Sequence, residues 1–311
     1  MYISEKLKLI DRVLFPDINI YPRHLSVSKQ ICFFVLGTFI FSLLGKFIPA
    51  DGFMAFDWVI YFEGRNLTSV HPPWLAPILI PFSWPTLVGV TISTTGLGII
   101  KRTTNLTGLI FALFTLPLFW VLFLGQIDGL VLLGITGLPW LTPFALLKPQ
   151  LSIFAFLAKR SYLIGLILFL LLSVIIWGDW PLDMVNSLSN YSLVAQDISL
   201  KYWGVPIALV LLWFSRGDID MLMAAGAFGT FYLIPYHTLL IVPSIARLPP
   251  LAAVIACILS WLPLSANWIG PKGWWFGWLF ISWIWIILAY LRYKPELVGM
   301  AKRFMNKIDW A

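Results

Sequence analysis

The sequence predicts an all-α, polytopic membrane protein, and three observations carry that prediction. Of the 311 residues 60% are hydrophobic and only 11% are charged, with a mean hydropathy of +0.89. A soluble domain of this size has no use for so much apolar surface. The apolar residues fall into runs near the ~20 residues that cross a bilayer's hydrocarbon. Between the runs the charges sort by sign, basic at some junctions and acidic at others.

The runs at 30–49, 75–100, 106–124, 128–138, 162–177, 203–215, 219–235, 238–247, 249–264 and 274–291 give about ten membrane segments. Met1 to Lys29 is polar and carries Lys6, Lys8, Arg12, Arg23 and Lys29, so it is no cleavable signal. It reads as a cytoplasmic interfacial amphipathic segment with Tyr2, Leu7, Ile10 and Leu14 on one face. Residues 30–291 form one transmembrane domain, and 292–311 a basic cytoplasmic tail with Lys302, Arg303 and Lys307. With the N-terminus inside, the positive-inside rule places Lys101-Arg102, Lys159-Arg160, Arg216, Arg247 and Arg292 to Lys294 inside as well. That works only if 139–158 enters and leaves on the same side. Pro139, Pro143 and Pro149 break it into two pieces of about ten residues, each too short to span. It is read as a re-entrant pair of half-helices with Lys148 at the tip, facing outward.

Composition also excludes several classes. The net charge of +7 sits beside membrane ends, where it serves topology and attraction to anionic lipids, so no nucleic-acid partner is expected. Cys32 and Cys257 both fall in apolar runs and read as small packing residues rather than a disulfide or a metal site. There is no phosphate-cradling Gly-rich loop, no HExxH, no CxxC and no nucleophile elbow.

Against this apolar background a few polar residues stand out. Lys148, in Leu146-Leu147-Lys148-Pro149-Gln150, is costly at membrane depth, about 2.5–3.5 kcal/mol on insertion scales. It can bind a lipid phosphate in a wet cavity with Gln150 as a further donor, or snorkel to the interface. Gln126 and Asp128, in Gly125-Gln126-Ile127-Asp128, can bond a polar ligand or simply close an interhelical turn. Asp57 begins Asp57-Trp58-Val59-Ile60-Tyr61, followed by His71-Pro72-Pro73-Trp74. It can act as a general base toward a hydroxyl, as a metal ligand, or as a solvated loop carboxylate. His237, in Pro235-Tyr236-His237, can take or orient a proton or stack on Tyr236 in an aromatic belt. The connections 50–74, 178–202 and 265–273 share this outer side and hold Asp51, Asp57, Glu63, Asp179, Asp183 and Asp197, close to half of the 14 carboxylates.

Taken in order, these motifs resemble the GT-C fold glycosyltransferases, specifically the family 87 polyprenyl-phosphate-mannose-dependent mannosyltransferases. The shared elements are Asp57 to Tyr61 after the first span, Pro72 to Trp74 at the entry to the second, Gly125 to Asp128, Lys148-Pro149 with Lys159-Arg160, and Pro235 to His237, over roughly 30–250. Asp128 stands where the family usually has Asn, the His motif is compressed, and the chain is short for the family. The resemblance implies a GT-C-like bundle in the plasma (inner) membrane with an extracytoplasmic active site. It implies transfer of a hexose, mannose in most of the family, from a polyprenyl-phosphate-linked sugar donor to a glycolipid or glycan acceptor hydroxyl, with inversion. The implied catalytic residues are Asp57, as base, and His237. Lys148, Gln126 and Gln150 would bind the donor phosphate, supported by Tyr61, Asp128, Tyr236, His71 and Arg65, with no metal or cofactor. The rival expectation is a non-catalytic lipid-binding or scaffolding subunit derived from such an enzyme; a transporter would call for an inverted repeat, and none is seen.

Overall fold

The computed structural model describes residues 5, 11–22, 25–63, 71–189 and 194–308, and Arg65, Tyr2, Leu7 and Ile10 lie outside them. All regular structure among the described residues is helical, with no strand. Five stretches are long and apolar enough to cross a bilayer unaided: Val27–Gly45, Leu106–Leu124, Arg160–Trp177, Pro250–Ile269 and Pro271–Glu296. Their outward residues are those of a lipid-facing surface. Phe39, Ile40 and Leu44 on the first, and Leu168, Leu171, Leu172, Ile175 and Ile176 on the third, are all exposed. An apolar face of this extent has no place in water. The chain is an all-helical membrane protein.

Five is half the number of apolar runs, and the reasons are local. The run 75–100 breaks at Pro81 into Leu75–Leu79 and Trp84–Arg102. The second piece is 19 residues long, but Thr91, Ser93, Thr94 and Thr95 lower its apolarity, and it is packed inside the bundle. Gly204–Ser215 and Ile219–Gly229 have 12 and 11 residues, about 16–18 Å of helix against ~30 Å of hydrocarbon. Residues 139–158 resolve into the short helices Thr142–Ala145 and Pro149–Ala155 with Lys148 between them. Lys148 is extended (φ −139°, ψ 93°), and Pro149 opens the second helix at its first turn, where a missing N–H costs nothing. The last helix, Gly277–Ile308, continues unbroken past residue 292.

The centre is occupied by Pro235–Arg247, a 3₁₀ helix of 13 residues, all but Arg247 buried. Runs of this kind rarely exceed three or four residues. Here Pro235 and Pro243 each withhold an N–H, and the helices Trp84–Arg102, Leu106–Leu113 and Leu116–Leu124 pack around it. At some 2 Å per residue it reaches about 26 Å. Trp84–Arg102 and Ile219–Gly229 run beside it, and polar clusters lie at both ends of these three elements.

One cluster is an ion-pair clasp. Arg102 Nε donates to both oxygens of Asp220 at 3.0 and 2.9 Å. Arg247 Nη1 donates to Asp220 and Asp218, each at 2.9 Å, and its Nη2 to Asp218 at 2.7 Å. Arg102, Asp218 and Asp220 are buried. Asp218 also caps Ile219–Gly229, accepting from the Asp220 and Met221 N–H groups. Two basic residues read as membrane-flanking charges are thus interior partners of carboxylates. The N-terminal segment 11–22 lies across this end: the Tyr21 ring sits under Lys101 at 4.6 Å and Arg102 at 5.2 Å, and Arg216 donates to the Val13 carbonyl at 2.7 Å.

Candidate functional site

The other cluster lines a cavity of about 340 Å³, within the range of small-molecule sites. Its walls include Asp57, Tyr61, His71, Gln126, Lys148, Gln150, Tyr236 and His237. Every described residue expected in the site is therefore on the wall, except Asp128, which lies behind Lys148 at 1% exposure.

Asp57 reaches the cavity because its loop docks onto the Gly125 turn. The Ala55 N–H donates to the Phe123 carbonyl at 2.7 Å, and the buried Trp58 packs against Trp84 with ring centroids 6.5 Å apart. Gly125 is required twice. Its φ is +75°, which costs other residues about 1–2 kcal/mol, and a Cβ there would stand 2.7 Å from the Trp58 Cβ. Only a glycine lets the two backbones approach this closely.

Beyond that turn a continuous polar chain crosses the site. Gln126 Nε2 donates to Asp57 Oδ2, and Lys148 Nζ donates to Gln126 Oε1. Lys148 also donates to Asp128 Oδ2 at 2.7 Å. One amide thus separates the Asp57 carboxylate from the Lys148 ammonium and fixes both. Asp128 opens the helix Asp128–Thr136, where the backbone dipole favours an anion. Lys148 lies 4.8 Å above the Tyr236 ring, which meets His237 edge-on at 4.5 Å. Burial holds the Asp57 carboxyl above the usual carboxylate range, opposed by the Lys148 charge and the Gln126 hydrogen bond.

His237 is buried, and its Nδ1 accepts from the Ile234 N–H at 3.2 Å. An accepting Nδ1 is unprotonated, so the neutral ring carries its proton on Nε2 and acts there as a donor. Gln150 faces the cavity with a buried Oε1 that has no hydrogen-bond partner among the described residues, and its carbonyl accepts from Thr230 Oγ1 at 2.8 Å. His71 meets Phe62 edge-on at 5.9 Å. Of the six carboxylates expected on the outer side, Asp57 alone lines this cavity. Asp51 caps the Phe53 and Met54 N–H groups, Asp197 pairs with Lys201, and Glu63, Asp179 and Asp183 are exposed.

Phe56, Phe62, Met184, Gln196 and Tyr232 also line the cavity and carry no sequence signal of that role. Gln196 lies in the 178–202 connection, where only the carboxylates draw attention. Among the described residues no group of three or more His, Cys, Asp or Glu side chains is placed to hold a metal ion. Comparison with known proteins decides nothing about family: no family model, curated protein or solved structure gives a significant match.

Proposed function

We propose that this cavity is the active site of a membrane glycosyltransferase that moves a hexose from a polyprenyl-phosphate donor to an acceptor hydroxyl. The observation that carries the reading is the convergence of a raised-pKa carboxylate and a buried ammonium on one cavity, held on either side of the Gln126 amide. An acceptor O–H needs a base, and a departing phosphate needs a cation; the two groups required are adjacent and pre-oriented.

In the proposed step the acceptor oxygen attacks the anomeric carbon from the face opposite the phosphate. The new C–O bond forms as the bond to the phosphate oxygen breaks, and the phosphate keeps that electron pair. Asp57 takes the hydroxyl proton, and Lys148 faces the charge developing on the leaving phosphate. A carboxyl held above its ordinary range is the better base near neutral pH. His237, protonated on Nε2, contributes a hydrogen bond rather than the base. The aromatic walls of Tyr61, Tyr232 and Tyr236 suit a sugar ring, and the unpartnered Gln150 Oε1 suits a sugar hydroxyl.

The finer topology belongs to the same proposal. We read a GT-C-like bundle of about ten membrane segments, with 139–158 as a re-entrant pair and the N-terminus cytoplasmic. Pro139 packs against Gly165, near the Lys159-Arg160 end, while Lys148 reaches the cavity, as a pair turning at Lys148 would require. One observation favours the rival, a non-catalytic lipid-binding or scaffolding subunit: Lys148 is already neutralised by Asp128.

The test is transfer by the purified chain in lipid nanodiscs, offered a panel of polyprenyl-phosphate hexoses and a glycolipid acceptor extract. The proposal expects one hexose to be transferred, and not by Lys148→Ala. Donor binding without transfer of any hexose would favour the scaffold.

A further inference from the structure

The ion pair that complicates the donor site suggests what it is for. Asp128 gives one oxygen to Lys148 at 2.7 Å, and its other oxygen, Oδ1, is buried with no side-chain hydrogen-bond partner among the described residues. The carboxylate is 1% exposed, so its charge lies away from bulk solvent. Such a charge acts at longer range than an exposed one, because screening by water and salt is weak. Among the described residues the charged side chains around Lys148 are Asp57, reached through Gln126, and Asp128; the imidazole of His237 is held in its neutral Nε2–H form. With both carboxylates ionised these three charges, the ones among the described residues, sum to one unit negative.

Glycosyl transfer changes the charge of the lipid phosphate. The donor is a phosphodiester with one negative charge. When the C–O bond breaks, the phosphate keeps the electron pair and becomes a monoester whose second ionisation lies near pH 6, so it carries about −1.5 to −2 at pH 7. Once Asp57 has passed the hydroxyl proton on to solvent, these three charges again sum to minus one, a balance that penalises the monoester's second charge more than the donor's single one. We propose that Asp128 is a specificity-determining residue that makes the site prefer the phosphodiester donor over the phosphomonoester product and so drives product release. This rests on the donor-site reading above and adds a direction to it. Lys148 alone would hold the more highly charged product more tightly than the donor; Asp128 reverses that order.

The test needs no sugar. Farnesyl phosphate and farnesyl methyl phosphate share a chain and differ by one ionisable oxygen. Their dissociation constants are measured by titration calorimetry at pH 8 on the full chain in nanodiscs, for wild type, Asp128→Asn and Asp128→Glu. The wild type is expected to bind the methyl ester more tightly. Asp128→Asn should improve farnesyl phosphate relative to the ester by roughly tenfold or more, the Coulomb effect of one charge at about 6 Å in an effective dielectric near 20, and Asp128→Glu should keep the wild-type order. Should Asp128→Asn not fold, the wild-type ratio of the two constants must still approach one as the pH falls from 8 to 5 and the monoester loses its second charge. If both probes bind and Asp128→Asn shifts them equally, or weakens both, Asp128 merely orients Lys148; the inference fails and the donor-site reading stands. If neither probe binds wild type, both fail.

Discussion

Replacing Lys148 by alanine removes the partner of a buried carboxylate, and the structure sets the size of the loss. The pair is 2.7 Å long, with side-chain exposures of 10% for Lys148 and 1% for Asp128. Breaking a buried pair by deleting one member costs about 3–5 kcal/mol, because the other charge is left uncompensated. Among the described residues Asp128 has no second side-chain partner to fall back on, since its Oδ1 meets none. The Gln126 Oε1 acceptor loses its donor as well, about 1–3 kcal/mol for a buried group left unsatisfied. The two terms overlap in one network, so the expected loss is about 3–5 kcal/mol rather than their sum. The double variant Lys148→Met with Asp128→Leu removes both charges and fills similar volume, and should regain most of that loss. Reversible unfolding in mixed micelles, monitored by Trp fluorescence, compares wild type, Lys148→Ala and the double variant. A Lys148→Ala protein as stable as wild type, or a double variant no more stable than that single one, would refute the reasoning.

Three further outcomes follow from the geometry. Transfer should require ionised Asp57, so kcat/KM should fall as the pH drops through its raised pKa, and Gln126→Leu, which deletes a bond favouring the carboxylate, should move that fall to higher pH; a pH–rate profile of both proteins checks the sign. Gly125→Ala must adopt φ near +75° and meet Trp58, so transfer should drop through the misplaced Asp57 loop while donor binding persists, as separate KM and binding measurements would show. Arg247→Ala leaves Asp218 and Asp220 short of a partner at the far end of the bundle, and should cost about 3–5 kcal/mol in unfolding with kcat of the folded fraction unchanged.

Much of the cavity was legible in the sequence because lipid makes polar residues expensive. Lys148 stood out as a charge in an apolar run; Gln126 and Asp128 read as a ligand contact or a turn, and only the fold brings them to Lys148 as its partners. The pairing of Arg102 and Arg247 was not legible in the same way: a basic residue at the end of an apolar run reads as a topology signal and gives no hint of a carboxylate partner. Asp220, the partner of Arg102, lies 118 positions away in the chain and on another helix. Segment count was legible only as far as five, because an apolar run does not reveal whether it continues as one helix. Pro81, the four hydroxyl residues at 91–95 and the 3₁₀ winding of Pro235–Arg247 decide that, and the last is imposed by packing on all sides. The protonation of His237 depends on a backbone N–H three residues away, which no pattern of residue types encodes.

The central claim, that Asp57 takes a proton during sugar transfer, is tested most directly by Asp57→Asn. The amide keeps the shape and can still meet Gln126, but it does not accept a proton near neutral pH. With the polyprenyl-phosphate hexose that the wild type uses, single-turnover transfer should fall by ~10²–10⁴ while donor affinity changes little, because Asp57 acts on the acceptor. His237→Ala, measured alongside, should lose less. Transfer by Asp57→Asn at the wild-type rate would contradict the account and remove Asp57 from the chemistry.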